Sequence, residues 1–309
     1  MKALAALGLL AGALVAALAL LEPWRGFAGR DNPALIAHTS QDESLPVAGR
    51  GVVAWTVGGG DALAPTSVWV KEGSAEPHRL PVGGDASGVY SGALDGTRLA
   101  LQVTTPSGSE LELYDLGRKR LRRLPLPPSG GRLRGQPALS GRYLAYIESS
   151  DWGPVLIAAD LRTGHRRAVR AQRGHTRLVV GQAAGRWLVF TIESRPGDRY
   201  MQAAIARYDF VRHTISYIRP PAGKEIHAPS VTPDGTVYYV EASRCRSATF
   251  VRRRGRRLTR LARIEGRAVG STYAVQEGSS VSLYYDAWPV EEATCELDGD
   301  ADVYRLTVR

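Results

Sequence analysis

A short turn-and-strand motif recurs along the chain and constrains the fold more than any other feature. Its fullest form is Thr232-Pro233-Asp234-Gly235-Thr236-Val237-Tyr238-Tyr239, in which an Asp-Gly turn leads directly into a strand of Val and Tyr. An Asp-Gly pair beside a β-branched and aromatic run is a strong local signal for a β-hairpin. Related segments follow five other glycines, and the six anchors are Gly49, Gly96, Gly141, Gly185, Gly235 and Gly278.

The spacing of these anchors indicates the architecture. Successive anchors lie 43 to 50 residues apart, and each interval contains several short apolar runs. A repeat of this length, with several short strands in each unit, is typical of a β-propeller blade. We therefore predict an all-β fold, a six-bladed β-propeller that occupies residues 30–309 as one domain.

The last repeat is one strand short, which predicts how the ring closes. Its strand candidates are Thr272–Val275, Val281–Asp286 and Val303–Val308, after which the sequence ends. An open sheet edge exposes unpaired backbone groups. We therefore expect the N-terminal segment Ala34–Ala37 to supply the outer strand of the last blade.

The first 29 residues indicate export. After Lys2, residues 3–21 are apolar and uncharged, and as a helix they would extend about 28 Å, close to the thickness of a bilayer core. One interpretation is a signal peptide cleaved near Gly26-Phe27-Ala28. The other is an uncleaved N-terminal membrane anchor with Trp24 at the interface. Both place the remaining chain outside the cytoplasm, either secreted or periplasmic, or anchored to the cell membrane.

The two cysteines suit an oxidising compartment. The alignment of repeats places Cys245 and Cys295 in equivalent loops, between the second and third strands of the fifth and sixth blades. An even count in an exported protein favours a disulfide, which here would join neighbouring blades. Two unrelated buried thiols are the alternative.

Basic residues give the chain a formal charge of +10 and gather on the hairpins between third and outer strands. Charged outer strands discourage pairing with other chains. They also suit contact with an anionic membrane or cell-wall surface. Because aromatic residues do not interleave with these groups, no nucleic-acid partner is expected. The groups are Arg118-Lys119-Arg120 with Arg122-Arg123, Arg166-Arg167, and Arg252-Arg253-Arg254 with Arg256-Arg257.

The repeat resembles that of TolB-like, WD-repeat-like β-propellers of bacteria. The segment Thr232–Tyr239 matches the turn and strand of that repeat, and Tyr143–Tyr146 and Trp187–Phe190 match its strand half. Val155–Gly164 resembles the third strand and the turn that follows it. The resemblance covers residues 34–309 and implies an extracytoplasmic propeller that binds partners in the cell envelope.

Motifs for catalysis are absent from the sequence. There is no Gly-x-Ser-x-Gly elbow, phosphate loop, dinucleotide fingerprint, Cys-x-x-Cys or His-Glu-x-x-His. We therefore predict no catalytic residue and no cofactor. His175 and His227 precede innermost strands, so they are candidates for the mouth of the central channel, with ordinary surface histidines as the alternative.

One acidic loop has a pattern found in calcium sites. Asp298, Asp300 and Asp302 alternate as oxygen ligands do in Ca²⁺ loops. The later bidentate Glu of an EF-hand is missing, because that position is Arg309. A solvated loop is therefore the preferred interpretation.

Two hypotheses of function follow. The first is a monomeric, exported or membrane-tethered scaffold that binds a cell-envelope protein or another ligand. The second is a propeller enzyme, such as a lyase, lactonase or glycan-acting hydrolase, with its site at the channel mouth. Convergent Asp, Glu and His at that mouth would favour the enzyme, whereas Ser, Thr and apolar groups would favour the scaffold.

Overall fold

The computed structural model describes residues 33–39, 41–49, 51–58, 66–82, 88–127, 132–194, 202–222, 224–243, 247–291, 297 and 299–309. These residues form 24 β-strands. Among them there is no helix that is long and apolar enough to cross a membrane. The predicted signal or anchor segment, residues 1–29, lies outside the described residues.

The strands form six four-stranded sheets, each of them antiparallel. The first sheet contains β2 (Glu43–Gly49), β3 (Val52–Val57), β4 (Ser67–Glu72) and β5 (His78–Arg79). The second contains β6 (Gly88–Asp95), β7 (Arg98–Thr105), β8 (Gly108–Asp115) and β9 (Arg120–Arg123). The third contains β10 (Arg134–Ser140), β11 (Tyr143–Glu148), β12 (Val155–Asp160) and β13 (Arg166–Ala171).

The remaining sheets repeat the same order. The fourth contains β14 (Thr176–Ala184), β15 (Trp187–Ser194), β16 (Gln202–Asp209) and β17 (Ile215–Ile218). The fifth contains β18 (Glu225–Val231), β19 (Val237–Ser243), β20 (Ser247–Arg254) and β21 (Arg257–Glu265). The sixth contains β22 (Arg267–Glu277), β23 (Ser280–Pro289), β24 (Asp302–Val308) and, from the N-terminal end, β1 (Ala34–Ala37).

The first strand of every sheet contacts the first strand of the next sheet. This holds for β2 and β6, for β6 and β10, and onward to β18 and β22, and β22 contacts β2 to complete the circle. The sheets are therefore six blades around one axis, with β2, β6, β10, β14, β18 and β22 innermost. The predicted all-β, six-bladed propeller is confirmed.

The N-terminal strand closes the ring. Strand β1 pairs antiparallel with β24, with Ala34 opposite Arg305, Leu35 opposite Tyr304 and Ala37 opposite Val303. The pairing covers the backbone edge that β24 would otherwise expose. It is the pairing that the sequence predicts for this segment.

Apolar side chains between neighbouring sheets hold the blades together. Between the fifth and sixth sheets, Phe250 packs on Tyr285 with ring centroids 4.8 Å apart, and Tyr285 stacks on Tyr304 at 5.5 Å. All three rings are almost fully buried. Removing such a side chain from water contributes about 2 kcal/mol or more to stability.

Two details of the blades differ from a simple repeat of apolar runs. The outer strands of the first and second blades end at Arg79 and Arg123, although apolar residues continue as far as Val82 and Leu126. Pro81 and Pro125 follow, and proline has no N–H to donate to the ladder. In the first blade the turn glycine with positive φ is Gly51 (φ 77°), whereas the expected anchor, Gly49, is the last residue of β2.

Candidate functional site

A cavity of about 390 Å³ lies on the axis, with walls from all six innermost strands. We call it the central cup. Most of the residues that line it come from the first halves of these strands, such as Leu45, Tyr90, Gln136, Arg177 and His227. Gln102, Thr191 and Glu193 are contributed by second strands. Its mouth is therefore at the face of the disk where the innermost strands begin.

Each innermost strand bends at the cup wall, because each has a break in register against its neighbour. A β-bulge of this kind turns the strand locally and redirects its side chains. The bulges of the first, third and fifth blades contain Pro46, Pro137 and Pro229. Those of the second, fourth and sixth blades contain Gly92, Gly181 and Gly270.

This alternation lets neighbouring strands approach closely. A Cβ added to Gly92 would lie 2.3 Å from Pro137 Cγ, and one added to Gly181 would lie 2.3 Å from the carbonyl oxygen of Pro229. Only glycine permits such contacts. Pro137 and Pro229 therefore pack where the preceding blade has no side chain.

The residues before the three prolines have a left-handed backbone. The φ angles are 52° for Leu45, 51° for Gln136 and 49° for Ala228. This conformation costs a residue with a side chain on the order of 1–3 kcal/mol. Because this conformation recurs in three blades, the bulges are a regular structural feature of the cup wall.

Two side chains cross the axis and form the floor of the cup. The Tyr273 hydroxyl donates to the Leu94 carbonyl oxygen at 2.8 Å, which links the sixth blade to the second. Gln182 of the fourth blade donates Nε2 to the Ala274 carbonyl and accepts from the Ala274 N–H at 2.9 Å. Its Oε1 also accepts from Val231 N–H at 3.2 Å. The cavity is therefore a cup with one mouth.

Side chains from the second strands satisfy the N–H groups of the innermost strands. Thr56 Oγ1 accepts from Ser91 N–H at 2.9 Å, and Gln102 Oε1 accepts from Gln136 N–H at 2.9 Å. Asp286 accepts from the N–H groups of Leu45, Gly270 and Ser271. These hydrogen bonds hold the bulges in place. The side-chain oxygens that accept them are already bonded within the protein.

The fourth blade departs from this pattern. Thr191 holds the position in β15 that Thr56 holds in β3, four residues after the first paired residue of the strand. Thr191 is 1% exposed and lines the cup, yet its Oγ1 has no hydrogen-bond partner among the described residues. Glu193 Oε2, two residues further along the same wall, is likewise buried and unpartnered within the described part of the chain.

Two further polar side chains adjoin this part of the wall. Arg177 lies directly opposite Glu193 in the β14–β15 ladder and is exposed at the mouth. His227 of the fifth blade lines the cup, and its Nε2 is 3.0 Å from the Val269 carbonyl oxygen. Burial lowers the pKa of His227, while that hydrogen bond works in the opposite direction. The imidazole is therefore neutral at pH 7, with its proton on Nε2.

The other predicted site residues lie elsewhere. His175 is exposed in the turn before β14 and is not among the residues that line the cup. Asp298 lies outside the described residues, so the calcium hypothesis stays a prediction. Asp302 accepts from the Tyr304 hydroxyl at 2.7 Å and lies 2.6 Å from His38 Nδ1, beside the β1 closure. Asp300 precedes it in the loop before β24.

The disulfide also stays a prediction. Cys245 and Cys295 fall in the connections between second and third strands of the fifth and sixth sheets, and both lie outside the described residues. Within the described residues there is no group of three or more His, Cys, Asp or Glu that could hold a metal ion.

Sequence reasoning found His227 but missed Thr191, Glu193 and Gln182. The missed residues lie inside strands, where a polar residue on a buried face cannot be told from one that faces solvent without the register. A proline or glycine inside every innermost strand was the available signal for the cup wall. Both residues are disfavoured in strand interiors unless they mark a bulge.

The closed ring, the strand order and the axial cup define a six-bladed β-propeller, and comparison with solved structures shows that the fold is TolB-like. TolB from Acinetobacter baumannii matches with a TM-score of 0.53 and 16% identity over 84% of this chain. A putative TolB from Agrobacterium tumefaciens matches with a TM-score of 0.52 and 14% identity, over 88% of this chain and 92% of that one.

An enzyme shares the fold at a similar level. Oligogalacturonate lyase from Vibrio parahaemolyticus matches with a TM-score of 0.50 and 12% identity, over 84% of this chain and 87% of that one. The present chain spans 64% of the Acinetobacter TolB. No protein-family model and no curated protein matches the sequence. At these identities the likeness concerns the fold alone.

Proposed function

We propose that this protein is an extracytoplasmic binding scaffold whose ligand enters the central cup and contacts the fourth and fifth blades. The observation that carries the proposal is the buried Thr191 hydroxyl, which, like Glu193 Oε2 beside it, has no hydrogen-bond partner within the described part of the chain. A buried polar atom without a partner costs about 1–3 kcal/mol. In the first and second blades the corresponding atoms bond to the next blade, so the fourth blade retains hydrogen-bonding capacity that a ligand can use.

The shape and the remaining groups support entry of a narrow ligand. The cup is wide enough for a small molecule or a short extended peptide, and its floor at Tyr273 stops passage through the disk. Arg177 at the mouth and Glu193 below it offer one positive and one negative group. A peptide end or a polar side chain with a donor for Glu193 and an acceptor for Arg177 suits this arrangement.

The location and partner belong to the same proposal. The apolar residues 3–21 support export, and the TolB-like fold supports a role in binding a partner of the cell envelope. We expect the protein to act as a monomer, secreted, periplasmic or tethered by its N-terminal segment.

Photo-crosslinking in the cell envelope tests the proposal. Tyr90 lines the cup, whereas Tyr217 is exposed on an outer strand, so p-benzoylphenylalanine at these two positions gives a matched pair. We expect a discrete adduct from position 90 that disappears when Thr191→Val and Glu193→Gln are added. An equal adduct from position 217, or an adduct insensitive to these substitutions, would contradict it.

A lyase or another propeller enzyme remains the second candidate. It is favoured by the lyase that shares the fold and by the presence of a neutral imidazole, His227, in the same cup as Glu193. A neutral imidazole and a carboxylate are common general bases. Turnover of oligogalacturonate that is lost in both His227→Gln and Glu193→Gln would establish the enzyme and overturn the scaffold proposal.

A further inference from the structure

A second cavity lies on the face opposite the mouth of the cup, between the fifth and sixth blades. We call it the arginine groove. Its volume is about 290 Å³, and its polar lining includes Arg252, Arg254, Arg257, Thr259 and Ser279. These residues adjoin the turn between β20 and β21 and the turn between β22 and β23. The innermost strands end at this face, whereas the mouth of the cup is where they begin.

The face that holds the groove lacks, in the fifth and sixth blades, an acid that the other blades have at one ladder position. In the first four blades the last residue of the third strand faces the first residue of the second strand, and it is an acid. The pairs are Val52 with Glu72, Arg98 with Asp115, Tyr143 with Asp160, and Trp187 with Asp209. In the fifth blade the residue opposite Val237 is Arg253, which is not among the residues that line the groove. In the sixth blade Arg309, which does line the groove, follows the Val281–Val308 pair.

The acids of the second to fourth blades neutralise nearby arginines. Asp160 pairs with Arg142 at 3.2 Å, and Asp209 pairs with Arg186 at 2.9 Å. Asp115 lies 4.0 Å from Arg118. Each of these acids therefore balances one arginine on this face. The hairpin of the fifth blade has no acid at this position.

Among the described residues the groove has one side-chain carboxylate, Asp234, and it is already engaged. Arg252 is also engaged, because it donates to the Arg309 carbonyl oxygen at 3.1 Å. Asp234 lies 3.8 Å from Arg254. It accepts from the Thr232 hydroxyl at 2.7 Å and from the N–H and hydroxyl of Thr236 at 3.1 and 2.9 Å. Arg257 lines the groove as an exposed residue, and the Arg254 side chain is 79% exposed. The arginines thus carry more positive charge than the groove itself balances.

We propose that the arginine groove binds a phosphate group, presented by a soluble phosphate ester or by a phospholipid headgroup. Guanidinium groups bind phosphate oxygens through paired, charge-assisted hydrogen bonds, and hydroxyl groups complete such sites. Arg254 and Arg257 supply the first kind of donor, and Thr259 and Ser279 supply the second. The site is independent of the cup, because it opens on the opposite face.

The test compares two double variants with the same change in charge. Arg254→Gln with Arg257→Gln removes two groove arginines. The control, Arg162→Gln with Arg256→Gln, removes two exposed turn arginines that do not line the groove. Thermal unfolding confirms that each variant is folded. If the first double variant is unfolded, Arg257→Gln alone is compared with Arg256→Gln.

Two probes distinguish the sources of the phosphate. Titration with glycerol 1-phosphate tests a soluble ester, and sedimentation with phosphatidylglycerol vesicles, against phosphatidylcholine vesicles, tests a headgroup. We expect the groove variant to bind at least one probe about tenfold or more weakly, because each charge-assisted bond contributes strongly, while the control changes little. If the groove variant binds glycerol 1-phosphate more weakly than the control does, the ligand is a soluble ester. If it is weakened only in binding to phosphatidylglycerol vesicles, the ligand is a headgroup. If neither probe binds, or if both double variants weaken equally, the proposal is wrong.

Discussion

At the scale of single residues, Thr191 and Thr56 occupy the same position in two blades and differ in what their hydroxyls do. Thr56 Oγ1 bonds to Ser91 of the next blade, whereas Thr191 Oγ1 is buried without a partner among the described residues. Valine has nearly the shape of threonine and lacks the hydroxyl. Replacing each threonine by valine therefore distinguishes a hydroxyl that stabilises the fold, at Thr56, from one that is available to a ligand, at Thr191.

We expect Thr191→Val to raise the free energy of unfolding by about 0.5–2 kcal/mol, because it removes an unsatisfied buried group. Thr56→Val should lower it by about 1–3 kcal/mol, because Ser91 N–H loses its acceptor. Chemical denaturation of the two variants measures both changes. A loss of stability in Thr191→Val comparable to that in Thr56→Val would show that its hydroxyl has a partner in the folded protein.

Gly181 offers a second test at this scale. A Cβ there would approach the Pro229 carbonyl oxygen to 2.3 Å, and backbone cannot move aside as a flexible side chain can. We expect Gly181→Ala to destabilise the protein by about 1–3 kcal/mol, as overpacking does. Gly49→Ala is the control, because its Cβ would meet only Leu94 Cδ2, at 3.9 Å. Equal melting temperatures for the two variants would contradict the close packing of Gly181 against Pro229 in the cup wall.

At the scale of elements, the closure by β1 contains an acid whose charge opposes folding. Glu43 of β2 is 1% exposed, and its backbone N–H donates to the Ala301 carbonyl beside β24. Burial, with the nearby negative charge of Asp302, raises the pKa of Glu43 from 4.5 to about 7. A hydrogen bond from Thr39 and the charge of His38 reduce this shift without cancelling it.

The sign of the pH dependence follows. Between about pH 4.5 and pH 7 the folded protein keeps a proton on Glu43 that the unfolded chain loses. The free energy of unfolding therefore falls across this interval, by about 1–3 kcal/mol. The pKa of His38 is raised by its bond to Asp302, so its contribution also fades as pH rises. His38 is largely exposed, and its share is small.

Glu43→Gln should flatten most of this decline and make the protein more stable than the parent at pH 8. Glu72→Gln, an exposed acid in the neighbouring hairpin, should leave the decline intact. Melting temperatures of the three proteins from pH 5 to pH 8 provide the measurement. A parent whose stability rises with pH over this range would show that Glu43 is ionised when buried.

The elements were largely predictable from the sequence, because the turn glycines and apolar runs repeat with each blade. The pairing of β1 with β24 followed from a missing strand in the last repeat. The ends of the outer strands were not predicted, since prolines such as Pro81 and Pro125 stop the ladder while apolar residues continue. The cup wall was not predicted either, because its polar groups depend on register and on contacts between blades.

At the scale of the whole molecule, the disk has two dissimilar faces. The cup opens on one face, and on its fourth-blade wall two buried polar atoms have no partner among the residues that the structure describes. On the other face, acids at the ends of the third strands each pair with one arginine in the second to fourth blades, whereas the fifth blade has Arg253 opposite the first residue of its second strand. A scaffold with two such faces can hold a ligand on one side and meet a phosphate-bearing surface on the other.

The similar structures have the same arrangement of blades. They do not identify a ligand for this chain, so the ligand must be inferred from the residues of the cup. The TolB proteins and the lyase share the fold with this chain at 12–16% identity, so their ligands are not transferable by sequence. Within this chain, His227 was the one predicted channel residue that lines the cup. Thr191 and Glu193 become visible only when the second strand of the fourth blade is placed against the axis.

The affinity of the crosslinked partner for the cup is the most direct test of the central claim. The partner captured at position 90 is purified and titrated by calorimetry against the parent protein, Glu193→Gln, and Arg162→Gln on the opposite face. We predict that Glu193→Gln weakens binding about tenfold or more, as loss of a buried charge-assisted hydrogen bond does, and that Arg162→Gln binds as the parent does. Unchanged affinity in Glu193→Gln, with the protein folded, would contradict the account.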